Sequence, residues 1–338
     1  MNSSLRFVIL SCLVAVAACG QAVHSVGNIF EPRATPAESV YHLSLLVIAV
    51  CAAIFLAVAA VLTYTIVRFR RKVDDRREPA QVYGSDQIEI AWTVVPILIV
   101  FVLTMATARV VSAIQNKRAS ANALQITVVG HQWWWEIRYP ALGVVTANEL
   151  HVPVSTTANP ALAFLRLESA DVAHSFWVPQ LSGKTDLIPN HPNTMWIDPR
   201  QEGTFLGNCA EYCGTQHANM LLRVIVQSPA NFAKWAASQR QQAFFDGRLE
   251  AARTAFLSLS CVNCHSVSGT LAAGTFGPDL SHVMSRDTLG AGVIPNSVEN
   301  LRAWVKDPQA IKPGNLMPNM QLNPLELDEV VTYLSSLK

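Results

Sequence analysis

The stretch Cys209-Ala210-Glu211-Tyr212-Cys213-Gly214-Thr215-Gln216-His217-Ala218-Asn219-Met220 places two thiols, an imidazole and a thioether within one short loop. Thiolate and thioether are soft ligands that favour copper, and mixed with imidazole they form the donor set of electron-transfer copper sites. Zinc sites rarely use methionine. A further imidazole, His174, lies in Asp171-Val172-Ala173-His174-Ser175-Phe176, at the end of another predicted strand. One upstream histidine and a downstream Cys–Cys–His–Met loop suit a β-sandwich that builds a metal site at one pole. A disulfide between Cys209 and Cys213 is the alternative in an oxidising compartment. Taken singly, His174 and Met220 also fit ordinary core positions.

Working outward, residues 124–228 alternate apolar and polar side chains in Gln125-Ile126-Thr127-Val128, Trp133-Trp134-Trp135-Glu136-Ile137 and Leu222-Arg223-Val224-Ile225-Val226. Pro140, Gly143, Pro153, Pro160 and Gly183 punctuate them. The pattern predicts a small antiparallel sandwich or Greek-key barrel over residues 117–228. Residues 229–247 read as a partly helical linker. From 248 to 338 the chain reads as helical, with helices up to Ser260, over about 298–307, and after Pro324. The last starts with Asn323 as N-cap, Pro324 at the first position and Glu326 completing a capping box.

Within that segment Cys261-Val262-Asn263-Cys264-His265 is a C-x-x-C-H haem attachment. Both cysteines reach the vinyl edge of one flat macrocycle, and the adjacent His265 becomes its proximal iron ligand. A thioredoxin-like C-x-x-C fits poorly, because no βαβ pattern surrounds it. The sixth ligand is sought in Lys312-Pro313-Gly314-Asn315-Leu316-Met317-Pro318-Asn319-Met320, which offers two thioethers. A thioether ligand raises the iron potential and suits an electron carrier.

The N-terminal third is of another kind. Of 338 residues, 51% are hydrophobic and 14% charged, against roughly 25% charged in an ordinary soluble domain. This excludes a disordered chain, and the formal charge of +1 leaves no nucleic-acid footprint. Residues 1–18 read as a signal peptide, and Val16-Ala17-Ala18-Cys19-Gly20 resembles a lipoprotein cleavage box in which Cys19 takes the lipid. Plain cleavage after Ala18 and a retained anchor are the alternatives. After an outer segment 19–40, residues 41–116 form a predicted transmembrane hairpin. Its uncharged runs are 42–67 and 90–108, each able to cross the roughly 30 Å of hydrocarbon. Arg68, Arg70, Arg71, Lys72, Arg76 and Arg77 lie between them, so the positive-inside rule keeps that loop in the cytoplasm and everything after residue 116 outside. Of the seven cysteines, Cys12 leaves with the signal and Cys51 sits in the first span. Those remaining serve lipid, copper and haem, which leaves none for a structural disulfide.

Over nearly the whole mature chain the sequence resembles subunit II of the haem–copper cytochrome c oxidases, in the caa3-type form with a fused cytochrome c. The resemblance rests on the C-x-E-x-C-x3-H-x2-M loop, Gly130-His131-Gln132-Trp133-Trp134-Trp135, Asp171 through Phe176, Gly183-Lys184-Thr185-Asp186 and Glu89-Ile90-Ala91-Trp92-Thr93-Val94-Val95-Pro96. It implies a multi-domain membrane protein: a two-helix hairpin, an all-β cupredoxin-like Greek-key CuA domain and an all-α class I cytochrome c domain. In that family Cys209 and Cys213 would bridge two coppers. His174 and Met220 would complete one metal; His217 and the Glu211 carbonyl would complete the other. The Glu211 carboxylate would help bind magnesium at the interface with subunit I. Asp171 is expected to orient His174.

Trp133 would be where electrons reach CuA, although rings at alternate strand positions also serve packing. Trp134 departs from the family's usual tyrosine. Glu89 would be the mouth of a proton pathway; a solvated helix end is the alternative. The class I cytochrome c motif P-G-x-x-M favours Met317 over Met320, and Gly277-Pro278-Asp279-Leu280 implies that the Pro278 carbonyl accepts from the proximal histidine. Trp304 is expected in the core or near the haem.

The function so implied is transfer of electrons from a soluble or membrane cytochrome c, through haem c and CuA, to subunit I with its haem a and haem–CuB centre. There oxygen is reduced to water with proton translocation, alongside subunit III in a bacterial plasma membrane. Rival readings are a CuA-containing nitric oxide reductase, a quinol-oxidase subunit, a copper-delivery protein and a free-standing electron carrier. The complete copper ligands disfavour the second, and the haem motif the third. Against the last stand two spans carrying Glu89 and Trp92.

Overall fold

The computed structural model describes residues 27–70, 78, 81, 83–115 and 123–338. The signal segment, Cys19 and the basic residues Arg71, Lys72, Arg76 and Arg77 lie outside them. Helices α1 (Thr35–Arg68) and α2 (Asp86–Gln115) are the two predicted spans, and both are apolar all round rather than along one stripe. At 1.5 Å per residue α1 is about 51 Å long, well beyond the hydrocarbon thickness. Its surplus reaches the β-domain. The Thr35 N–H donates to Asp198 Oδ1 at 2.8 Å, and Arg200 donates to Glu38 Oε2 at 2.8 Å and Thr35 Oγ1 at 2.7 Å. In the last turn of α2 the Ile114 carbonyl accepts from the Trp196 indole at 2.7 Å.

Ten strands follow: β1 (Leu124–His131), β2 (Trp134–Tyr139), β3 (Val144–Ala147), β4 (Glu149–Pro153), β5 (Ala163–Ser169), β6 (His174–Trp177), β7 (Thr185–Leu187), β8 (Asn193–Ile197), β9 (Gly203–Cys209) and β10 (Leu221–Gln227). They form two five-stranded sheets, β3-β2-β1-β5-β8 and β4-β10-β9-β6-β7. Alternate burial along β2 and β10 matches the sequence periodicity, and the inward residues, Trp135, Ile137, Leu165, Phe176 and Val224 among them, fill the space between the sheets. The sandwich is not wholly antiparallel, as the alternation had implied. β1 pairs with β5, and β10 with β4, in parallel. The cause is crossing: the chain leaves the first sheet after β3, runs β4 in the second, and returns as β5 beside β1. Parallel neighbours need such a crossover.

Edge strand β4 is buried on both faces, since neighbours cover it. Helix α3 (Pro229–Gln239), the predicted partly helical linker, lays Trp235 flat on His151, ring centroids 4.1 Å apart. The cytochrome segment closes over Glu149, whose carboxylate accepts from the Asp287 and Thr288 N–H groups at 2.8 and 3.0 Å. Burial holds this carboxyl above its ordinary value, while those N–H groups oppose the shift.

The last domain comprises α4 (Glu250–Ser258), the single turn α5 (Cys261–Cys264), the two-residue strands β11 (Thr288–Leu289) and β12 (Ile294–Pro295), α6 (Val298–Lys306), α7 (Pro308–Ile311) and α8 (Pro324–Ser336). The Asn323–Glu326 capping box is present. Phe256, Leu301, Val330, Val331 and Leu334 make its core. The β11–β12 hairpin was not expected. Its turn carries positive φ at Gly290, Ala291 and Gly292, and the Ala291 carbonyl accepts from Leu221 N–H of the β-domain at 3.1 Å.

Candidate metal centre and haem cavity

Loop 209–220 joins the antiparallel pair β9–β10, and β6 lies beside β9 with Phe176 opposite Cys209. This register carries His174, at the start of β6, to the same pole as the loop. Gly130 makes room for it, since a Cβ there would meet the His174 ring at 2.7 Å. The edge of Trp135 backs the imidazole at a centroid distance of 6.1 Å.

All six predicted groups converge. Cys209 and Cys213 are free thiols with sulfurs 3.8 Å apart, outside the roughly 2.05 Å of a disulfide. His174 Nδ1 lies 3.9 Å from Cys209 Sγ, and the Glu211 carbonyl 3.2 Å from it. His217 Nδ1 and Met220 Sδ lie 3.6 and 3.8 Å from Cys213 Sγ. His174, Cys209, Cys213 and Met220 are buried, whereas the Glu211 side chain is exposed. A cluster of two thiols, two imidazoles and a thioether, all but His217 buried, fits soft metal ions.

Electrostatics prepare the cluster for a cation. The hydrogen bond from Cys213 draws the Cys209 thiol far below the usual thiol range against the cost of burial, and Cys213 is correspondingly raised. Asp171 Oδ1 accepts from His174 Nε2 at 2.8 Å. This bond fixes the proton on Nε2 and leaves the Nδ1 lone pair facing the sulfurs. Burial works most strongly against charge on His174, but the hydrogen bonds and charges of Asp171 and Cys209 together outweigh it and hold the imidazole above its ordinary value. Asp171 Oδ2 also accepts the Gln132 N–H at 2.6 Å, tying the β1–β2 turn to the same carboxylate.

That two-residue turn, Gln132-Trp133, connects the two centres. The Trp133 indole N–H donates to the Cys213 carbonyl at 3.0 Å, and Gln132 Nε2 donates to the same oxygen at 2.7 Å. Trp133, Gln132 and Trp134 also line a cavity of about 310 Å³ in the cytochrome domain. Trp134 stacks on His131 at 4.2 Å, and His131 pairs with Glu136 at 3.1 Å.

Cys261, Cys264 and His265 lie on the wall of that cavity, with Met317 and Met320. His265 Nδ1 donates to the Pro278 carbonyl at 2.7 Å, as the resemblance implied, leaving Nε2 as a metal-ligating lone pair. Burial lowers the imidazole's proton affinity, with the Pro278 hydrogen bond opposing the shift. Gly277 is required, because a Cβ would stand 2.5 Å from His265 Cε1. The Met317 backbone is pinned by its N–H to Asn315 Oδ1 and by Gln309 Nε2 to its carbonyl, both 2.8 Å. Trp304 lines the cavity too.

Sequence reasoning missed Arg286. It is buried on the cavity wall, donates to the Asp279 carbonyl at 2.5 Å, and its Nε has no hydrogen-bond partner. An unpartnered buried N–H is costly; a carboxylate of a haem would meet that need. No spacing in the sequence flags it. Glu89 lies exposed in the first turn of α2, its carbonyl accepting from Thr93 Oγ1.

Three family descriptions match the chain in order. They are the cytochrome c oxidase subunit II transmembrane domain over 23–110, its periplasmic domain over 161–228, and cytochrome c over 249–338. Cytochrome c oxidase subunit 2 of Alkalihalophilus pseudofirmus is 33% identical, covering 91% of this chain and 90% of that protein. Its counterpart in Bacillus subtilis is 31% identical, covering 98% of each. Among solved structures, the periplasmic domain of subunit II of cytochrome oxidase from Bradyrhizobium japonicum is 28% identical, covering 37% of this chain and 96% of that one, with a TM-score of 0.33. With these matches over the same segments that carry the thiol loop and the C-x-x-C-H cavity, the chain belongs to the cytochrome c oxidase subunit 2 family, in the form with a cytochrome c domain behind its copper domain.

Proposed function

We propose that this chain is the electron-receiving subunit of a caa3-type cytochrome c oxidase and hands electrons from a cytochrome c donor to an oxygen-reducing subunit I. The observation that carries the reading is the position of Trp133, which lines the haem cavity and bonds the Cys213 carbonyl with its indole N–H. When bound, a covalent haem c and a binuclear copper centre supply one-electron carriers whose geometry the protein holds nearly constant.

The residues have separate tasks. Cys209 and Cys213 would hold both metals of the pair; His174 and Met220 would serve one, and His217 and the Glu211 carbonyl the other. Cys261 and Cys264 would anchor the haem covalently, and His265 and Met317 would hold its iron. Met317 is preferred because its backbone is held on both sides. Trp133 would be the point where electrons reach the copper site. The exposed Glu211 carboxylate is free for a magnesium ion at the contact with subunit I, with subunit III nearby, and Glu89 stands at the mouth of a proton pathway. Two spanning helices keep the protein in a bacterial plasma membrane, with the copper and cytochrome domains on the outer side and Cys19 lipidated.

Metal analysis of the purified complex tests the reading. Beyond the one copper and two haem irons that subunit I would bring, two coppers and one iron are expected per copy of this chain, with a paramagnetic spectrum showing an electron shared over both coppers. A single copper with a four-line spectrum excludes the paired centre. A nitric oxide reductase would be betrayed by non-haem iron in place of copper in the partner subunit.

A further inference from the structure

Lys312 stands in the loop after α7 and is 2% exposed. Its Nζ donates to three main-chain carbonyls: Trp133 at 2.8 Å, Asn219 at 2.8 Å and Gly290 at 3.0 Å. The first two belong to the copper domain, one in the β1–β2 turn and one in the metal loop; the third belongs to the cytochrome domain. An ammonium has three N–H donors and no acceptor, so the set is complete. Burial pushes this group down to about 7, with the nearby Cys213 opposing the shift, as befits a cation withdrawn from water.

The surroundings converge on the same point. Gln216 donates its side-chain amide to the carbonyl of Pro313, the next residue, and its Oε1 accepts from Asn219 Nδ2 at 2.7 Å. Gly314, at φ +81°, passes so close to Thr215 that a Cβ would stand 3.2 Å from its methyl carbon. Trp133 is therefore held at both ends, its carbonyl by Lys312 and its indole by Cys213.

We propose that Lys312 is the catch that fixes the cytochrome domain on the copper domain with the haem cavity against Trp133. It is a positioning residue, and the proposal rests on the electron-transfer reading above. A linker alone would give an effective concentration on the order of mM and many orientations. Three carbonyls converging on one nitrogen select a single orientation, and electron tunnelling falls exponentially with separation.

The test uses the intact oxidase complex carrying Lys312→Met, which keeps an unbranched apolar stem and removes the donors. The haem is photoreduced, and equilibration with copper is followed in the visible haem bands and the near-infrared copper band. The expected result is transfer slowed about tenfold or more, as docking reverts to tethered encounter, with both sets of bands at wild-type position and intensity. Transfer in the variant within twofold of wild type overturns the catch. Absence of any haem-to-copper transfer in the wild type overturns instead the functional reading beneath it.

Where the variant fails to assemble both centres, the unmodified complex decides by acetylation and peptide mass spectrometry. Lys312 is expected to stay unmodified while the exposed Lys306 and Lys338 react. Modification of Lys312 at the rate of Lys306 overturns the proposal.

Discussion

The indole N–H of Trp133 and the carbonyl of Cys213 lie 3.0 Å apart, joined by a hydrogen bond across 80 residues of sequence. This places an aromatic ring of the haem cavity one hydrogen bond from the backbone of a cysteine of the metal cluster. Removing the N–H while keeping a ring therefore separates conduction from architecture. Trp133→Phe is expected to leave copper content unchanged and to slow reduction of the copper by the haem about tenfold, a barrier increase of roughly 1.4 kcal/mol. Flash photoreduction measures it; an unchanged rate would remove Trp133 from the route.

Asp171 holds His174 in the tautomer that presents Nδ1 to the sulfurs. Asp171→Asn keeps the shape of the side chain but loses the carboxylate. Copper affinity is expected to fall about 10- to 100-fold, the usual effect of losing such an outer hydrogen bond. Competition against a chelator reads it, and an unchanged affinity would show that packing against Trp135 is enough to orient the ring.

Both methionines of the 312–320 loop line the haem cavity. Met317→Ala is expected to abolish the weak near-infrared iron–sulfur band and to lower the haem potential, whereas Met320→Ala leaves both intact. Loss of the band in Met320→Ala alone would reverse the assignment.

His151 is one source of the pH dependence of the copper domain. Burial under Trp235 lowers its pKa from 6.5 to about 4, with the Gln227 hydrogen bond and Asp287 partly opposing. An unfolded chain protonates it near 6.5, so between these values the unfolded state binds the extra proton and native stability falls as pH falls. The contribution is about 3 kcal/mol over that interval, at 1.36 kcal/mol per unit. His151→Phe should flatten this part of the profile in thermal unfolding at pH 4 to 6.5. A variant with the wild-type slope would assign the proton uptake elsewhere.

Much of this architecture is local and therefore readable along the chain. The capping box at Asn323 is a three-residue affair, the C-x-x-C-H turn spans five residues, and the alternation in β10 needs only its own period of two. The ligand loop is equally compact, and His174 with Asp171 sit three residues apart. What escaped the reading is set by distant partners. The parallel pairing of β1 with β5 depends on where the chain crosses between sheets, which leaves no mark on side-chain alternation. The burial of β4 on both faces comes from α3 and the cytochrome domain. Arg286 and Lys312 are single cations in otherwise ordinary loops, and only the cavity and the domain contact make them matter. Lys312 even stands within the loop quoted for its methionines, yet its three acceptors lie 179, 93 and 22 residues away.

The attachment of both long helices to strand β8 and its flank, through Asp198, Arg200 and Trp196, has a mechanical consequence. The β-sandwich cannot swivel freely above its stalk. Because each residue of an α-helix advances the azimuth by about 100°, inserting one residue near the top of α1 alone would set the two anchor points at odds. Inserting one in both would turn the sandwich like a key, pointing its metal pole away from whatever it meets at the bilayer surface.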